Sequence, residues 1–199
     1  MIGAVILAAG QSRRMGRNKM LLPVAASTVL ETIVTEVAAC AQVVDRVVVT
    51  GHQADRITAL LGPYPVRCVF NPAYAQADML VSIQVGVRAL PAAATGALIV
   101  LGDQPRIQRT TVQQVIAAQQ AKAIIIPSYQ MKRGHPILID RALWPEVLAL
   151  PETATLRDFI RAHEEQIRYV VVETDSVLKD LDTPEDYAEM INHKGHEEH

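Results

Sequence analysis

The chain has 199 residues, half of them hydrophobic, and a net charge of -2 from 19 Lys and Arg against 21 Asp and Glu. That is enough apolar material for one full core, and a near-neutral balance gives no electrostatic reason to expect nucleic acid or an anionic membrane as partner. No apolar run approaches the roughly 18 to 20 residues of a membrane span, and the N-terminus enters an apolar stretch without a basic leader and cleavage site, so the expectation is a cytoplasmic protein.

Ile2 to Leu7 is an apolar run short enough to be one buried strand. Thr28 to Ala41 has apolar residues at helical spacing, with Ser27 or Thr28 as N-cap and Glu31 in the first turn, and reads as a first crossover helix. Val43 to Thr50 is a second buried strand, Gln53 to Leu61 a short helix, and Val66 to Phe70 a third strand entered from the turn at Gly62-Pro63-Tyr64-Pro65. Met79 to Leu90 is a helix, Ala97 to Leu101 an apolar strand broken by Gly102-Asp103-Gln104-Pro105, Thr111 to Gln120 a helix and Ala123 to Ile126 a strand. Arg133-Gly134-His135-Pro136 leads into Ile137-Leu138-Ile139, which suggests a hairpin or an insertion covering a site. Ala142 to Leu150 and Ala154 to His163 read as helices, Arg168 to Val172 as a late strand, and Thr183 to Ile191 as a closing helix with Thr183 as N-cap and Pro184 at its first position. Strands alternating with helices of this length predict a right-handed, doubly wound, mainly parallel Rossmann-like α/β sheet. Residues 1–192 are expected to form one domain, and the polar stretch 193–199 a frayed tail. Cys40 and Cys68 stand apart in apolar surroundings and read as buried free thiols.

The most informative stretch follows the first strand. Ala8-Ala9-Gly10-Gln11-Ser12-Arg13-Arg14-Met15-Gly16-Arg17-Asn18-Lys19 is a glycine-bounded loop with three arginines and a lysine on a near-neutral background. In an open α/β sheet, ligands bind beyond the carboxyl ends of the strands, which is where this loop lands. Gly10 and Gly16 let backbone approach a ligand, exposed amides can face anionic oxygens, and Arg14 and Lys19 supply charge. The pattern predicts a polyphosphate cradle. It is neither a P-loop, since five residues separate Gly10 from Gly16 and Lys19 does not follow a glycine, nor a G-x-G-x-x-G dinucleotide loop.

Leu7-Ala8-Ala9-Gly10, Ser12, Arg14-Met15-Gly16 and Lys19 match, position by position, the nucleotidyltransferase signature L-A-[AG]-G-x-[GS]-x-R-M-G followed by a lysine. The chain resembles the MobA-like nucleotidyltransferase family, and within it the molybdenum cofactor cytidylyltransferases. Gly102-Asp103-Gln104-Pro105 is similar to the family's G-D-x-P motif, and Asp180-Leu181-Asp182-Thr183-Pro184-Glu185-Asp186-Tyr187 to its D-[IV]-D-T-P-E-D-[YL] ending. The resemblance implies that Asp103 and Asp182 hold Mg²⁺, a hard cation usually bound by one or two carboxylates plus substrate phosphates. Asp180, on the same side as Asp182 if the segment alternates like a strand, is kept as a supporting carboxylate.

By the same resemblance Arg14, Lys19 and Asp103 are the catalytic residues, and Leu7, Ala8, Ala9, Gly10, Ser12, Arg13 and Gly16 bind nucleotide. Asn71-Pro72-Ala73-Tyr74, Met79, Ser82 and Gly86 resemble the family's N-P-x-[WY]…G-M-x-x-S-[LI]-x-x-G, which adds Asn71 and Ser82 to the nucleotide set. The departure is Ala77-Asp78, where relatives carry glycine, and a carboxylate there puts the acceptor's identity in question. Arg133, Gly134, His135 and Pro136 match the R-G-H-P segment on the acceptor side. His52 and His163 fit no motif and receive no role.

The sequence has no G-x-S-x-G, H-E-x-x-H or C-x-x-C, so hydrolase-nucleophile, zinc and redox readings have no support. The expected activity is Mg²⁺-dependent transfer of a nucleoside monophosphate from a triphosphate to a phosphate-bearing acceptor of the molybdopterin type, with release of pyrophosphate. Leu7-Ala8-Ala9-Gly10 resembles the CTP-using members rather than the L-A-G-G, GTP-using ones, and the Ala9 methyl takes room beside the base. A guanylyltransferase, a transferase for a sugar phosphate or another small phosphorylated acid, and a non-catalytic chaperone delivering cofactor to a receiving molybdoenzyme are the alternatives.

Overall fold

The computed structural model describes residues 1–76 and 78–194. In chain order the strands and helices are β1 (Ile2–Ala8), β2 (Pro23–Val24), β3 (Ser27–Thr28), α1 (Val29–Ala38), β4 (Val43–Thr50), α2 (Ala54–Leu61), β5 (Arg67–Phe70), α3 (Met79–Ala89), β6 (Gly96–Leu101), α4 (Arg109–Ala117), β7 (Ile124–Tyr129), β8 (Lys132–Arg133), β9 (Ile137–Asp140), α5 (Trp144–Ala149), α6 (Leu156–Ala162), β10 (Ile167–Val171) and α7 (Pro184–Lys194). Ala77 and 195–199, most of the expected tail, lie outside the described residues.

The main sheet runs β10-β7-β9-β6-β1-β4-β5, with β8 paired to β7. Pairs β6/β1, β1/β4, β4/β5 and β10/β7 are parallel. The expectation of a mainly parallel sheet therefore holds, with β9 inserted antiparallel between β6 and β7. The short return from β7 through β8 leaves no room for a crossover helix, and a short connection reverses the chain direction. Chain order reverses at β1, with β4 and β5 laid to one side and β6 to the other, so the crevice of this sheet lies above the carboxyl ends of β1 and β6.

Period-two alternation splits the core into two layers. Ala4, Ile6, Val48, Leu98 and Ile125 face α1 and α4, where they meet Ile33, Val34, Val37, Val112 and Val115. Val5, Leu7, Val47, Val49, Ile99 and Ile124 face the opposite layer of Leu80, Ile83, Val87, Trp144 and Phe159. Both faces being covered explains why these strands read as continuous apolar runs. No helix among the described residues is long and apolar enough to cross a membrane.

Helix ends follow local chemistry. The Thr28 hydroxyl accepts from the Glu31 amide at the start of α1. That helix stops at Ala38, earlier than the expected Ala41, because Cys40 N–H bonds Val37 and Val43 N–H bonds the Cys40 carbonyl in a turn toward β4. At α7 the Asp186 N–H donates to Thr183 Oγ1 and the Asp186 carboxylate accepts from Thr183 N–H, a reciprocal cap ahead of Pro184. The Tyr187 hydroxyl of that helix donates to the Pro23 carbonyl at 2.6 Å, which pins α7 against the hairpin closing the basic loop.

Candidate active site

The loop after β1 is folded tightly by its own side chains. Ser12 sits at φ 50 and Gly16 at φ +67, the left-handed region that glycine adopts without strain, on either side of a 3-10 turn over Arg13–Met15. Lys19 N–H donates to Ser12 Oγ at 3.1 Å, and buried Asn18 accepts from Met20 N–H while its amide donates to the His52 carbonyl. Met15 and Met20 are buried beneath the loop as anchors. Ala9 and His52 join through the His52 N–H, so the end of β4 braces the start of the loop.

Asp103 arrives from the end of β6. A Cβ at Gly102 would stand 2.5 Å from the Leu7 carbonyl oxygen, so glycine is what lets this turn lie directly against β1. Leu181 N–H donates to the Asp103 carbonyl at 2.9 Å, which ties the segment before α7 to the same turn and delivers Asp182 beside Asp103. Lys19 Nζ lies 2.6 Å from Asp103 Oδ2 and 3.1 Å from Asp182 Oδ1, and Arg14 Nη2 is 2.7 Å from Asp182 Oδ2. Burial disfavours the Lys19 ammonium, but the two carboxylates outweigh it and the net shift is upward, so the cation is firmly charged. The two carboxylates thus converge on one ammonium. Asp103 Oδ1 is buried without a hydrogen-bond partner, an unspent acceptor of the hard-oxygen kind that Mg²⁺ or Mn²⁺ takes. Among the described residues no third Asp, Glu, His or Cys joins them, which suits an ion completed by substrate phosphates.

These groups line a cleft of about 340 Å³. Of the residues singled out from the sequence, Leu7, Ala9, Gly10, Ser12, Arg13, Arg14, Lys19, Ser82, Asp103 and Asp182 are on its wall. Ala8 is buried in β1, Gly16 shapes the loop, and Asn71 sits behind the wall, 1% exposed, donating from Nδ2 to Ser82 Oγ at 3.0 Å. Residues 179–182 are coil rather than strand. Asp180 accepts from Gln104 Nε2 at 2.6 Å, and its carboxyl is raised by burial, with Asp103 and Asp182 nearby adding to the shift.

Arg133, Gly134 and His135 line a second hollow of about 890 Å³, which shares Asp78 and Met79 with the first. Gly134 N–H donates to the Pro127 carbonyl and His135 N–H to the Val177 carbonyl, which fixes the strap that Pro136 closes. The His135 ring is held neutral, its pKa lowered to about 4 by burial, and its Nε2 is buried without a partner. Arg133 leans outward, 3.6 Å from Glu164 and stacked over Tyr169. Of the residues given no role, His163 bonds the Phe159 carbonyl and Glu146. Cys40 is a buried free thiol as expected, whereas Cys68 is only half-buried.

Tyr74, part of the Asn71-Pro72-Ala73-Tyr74 motif, is on the first wall as well, whereas Leu101 there and Thr155, Arg157 and Arg161 on the second received no site role from the sequence. For the arginines a signal was present: they stand four apart on one helix, with Leu156 and Ile160 alternating beside them.

A crevice whose strong chemistry is all charge, cations for a polyphosphate and carboxylates for a metal, places the chain among transferases that act on nucleotides. Residues 4–167 match the model of the MobA-like NTP transferase domain, and the chain belongs to that family. It is similar to the molybdenum cofactor cytidylyltransferase of Escherichia coli (strain K12), 28% identical over 189 residues that cover 94% of this chain and 93% of that protein. It is equally similar to the nicotine blue oxidoreductase of Paenarthrobacter nicotinovorans, at 28% identity over 96% of each. The solved structure of Rv0371c from Mycobacterium tuberculosis H37Rv in complex with manganese superposes with a TM-score of 0.79 at 26% identity, over 96% of this chain and 98% of that one.

Proposed function

We propose that this protein transfers CMP from CTP to a phosphate-bearing acceptor of the molybdopterin type and releases pyrophosphate. The observation that carries the reading is the convergence of Lys19 and Arg14 on Asp103 and Asp182 at the carboxyl ends of β1 and β6. The likeness to the Escherichia coli cytidylyltransferase supports the choice of nucleotide and acceptor.

Asp103 and Asp182 are the residues that would hold Mg²⁺, and a bound ion there supplies neutralisation of the triphosphate's charge. Arg13, Arg14 and Lys19 grip the phosphate oxygens, and the exposed amides of the Gly10 loop face the same anion. Ser82 Oγ already accepts a hydrogen bond from Asn71 Nδ2, so its own O–H is free to donate to the nucleotide. A phosphate monoester has a second pKa near 6 and is largely ionised at neutral pH, so no residue need act as base. Its oxygen attacks the α-phosphorus, the bond from that phosphorus to the bridging oxygen breaks, and pyrophosphate departs toward Lys19 and Arg14. Catalysis then rests on positioning and charge.

The test is pyrophosphate release from CTP, GTP, ATP and UTP, each with Mg²⁺ and molybdopterin. Release with CTP, dependent on acceptor, is expected. A correctly folded protein that releases none from any triphosphate overturns the reading.

A further inference from the structure

Arg133, the arginine of the acceptor-side motif, is already engaged by Glu164 and Tyr169. The second hollow has two other cations. Arg157 and Arg161 both line it, stand one turn apart on α6, and have no ion pair among the described residues. Like charges at this spacing repel along a helix, and the nearest acid in sequence, Asp158, spends its hydrogen bonds on Thr155, accepting from its hydroxyl at 2.7 Å and from its amide at 3.0 Å, and reaches the two arginines only through space. A pair of guanidinium groups on a concave wall with no salt-bridge partner is the donor set that a phosphate dianion satisfies. The floor between them and β9 is apolar, from Ile126, Ile137 and Ile160. A second, independent sign of a ligand is His135 Nε2, buried on the same wall with nothing to bond to.

The geometry points to Arg157 and Arg161 as the residues that select the acceptor, by holding the phosphate of a monoester whose flat body lies on the isoleucine floor and offers a polar edge to His135 Nε2. This deepens the proposed function and rests on it for the word acceptor. The binding site itself does not depend on that reading. The neutral imidazole contributes a hydrogen bond and no charge, so the arginines carry the attraction for the anion.

The probe is phenyl phosphate, with phenol as its uncharged control, titrated into the full chain at fixed ionic strength and followed by amide chemical shifts. Phenyl phosphate should bind and phenol should not, and Arg157→Ala and Arg161→Ala should each weaken phenyl phosphate at least tenfold. Both side chains are exposed, and CTP affinity should stay within twofold of the parent in both variants, which separates the site from the nucleotide cleft. Unchanged phenyl phosphate affinity in the two variants, or equal binding of phenol, overturns the assignment. Arginine-dependent binding in a protein that releases no pyrophosphate would leave this site standing and remove the transferase reading alone.

Discussion

Asp103 has two oxygens in different situations: Oδ2 accepts from Lys19 Nζ at 2.6 Å, while Oδ1 is buried and unpartnered. Replacing the carboxylate by an amide keeps the shape and removes the charge, so Asp103→Asn isolates its electrostatic part. By comparison with other preorganised charge-stabilising groups, the loss should be on the order of 10²- to 10³-fold in kcat. Pyrophosphate release at saturating triphosphate measures it, and a near-parental rate removes Asp103 from the chemistry. His135 gives a pH prediction. Burial lowers its folded pKa to about 4 from 6.5, so the unfolded chain takes up this proton first as pH falls. The stability it confers is complete above 6.5, shrinks through the interval down to about 4, and amounts to about 3 kcal/mol at most. Thermal unfolding of the parent should therefore fall more steeply between pH 6.5 and 4.5 than that of His135→Gln, and parallel curves would contradict it.

The elements show which of these features a sequence exposes. β1, β4 and β6 were readable because strands covered on both faces must be apolar throughout, and the caps at Thr28 and Thr183 were readable because they are local. The stretch from Arg133 to Ile139 was readable as a hairpin, but the place of β9 between β6 and β7 was not, since the composition of Ile137–Asp140 does not tell which strands it pairs with. In the site, the basic loop and both aspartates carry motif-level signals. The Leu181–Asp103 bond that brings the aspartates together joins segments far apart in sequence, and the α6 arginines look in sequence like a solvated face. That helix is started by a full capping box between Thr155 and Asp158, whose carboxyl the Thr155 bonds hold below its usual range. Thr155→Ala should cost about 1 kcal/mol in urea unfolding. Because the box also sets the orientation of Arg157 and Arg161, the same variant should raise KM for the phosphorylated acceptor with KM for CTP unchanged. An equal rise in both would mean that α6 supports the whole crevice rather than one side of it.

At the scale of the whole molecule, the proposed nucleotide cleft is assembled from four parts of the chain, of which three distant ones, the loop after β1, the turn after β6 and the segment before α7, bring Arg14, Lys19, Asp103 and Asp182 together. A ligand that touches all three ties them together and binds the folded state alone, so it stabilises by mass action, by about 2.7 kcal/mol at a hundredfold excess over Kd. For a chain of 199 residues that corresponds to a rise in Tm of roughly 5 to 10 °C. Charge and fit contribute separately to this rise. The triphosphate is common to CTP and GTP, and Arg14 and Lys19 meet it in either case, so a shift from charge alone would be equal for both. Ala9 lies on the cleft wall, 7% exposed, and in the proposed reading its methyl would take room beside the base and favour a pyrimidine. The Tm rise with Mg²⁺ should accordingly be larger for CTP than for GTP at equal concentration, and Ala9→Gly should narrow the gap. Chelating the metal with EDTA should reduce the rise for both nucleotides, because Asp103 and Asp182 then face the phosphates directly and repel them. A larger shift with GTP would transfer the assignment to a guanylyltransferase, and a shift indifferent to EDTA would remove the metal from nucleotide binding.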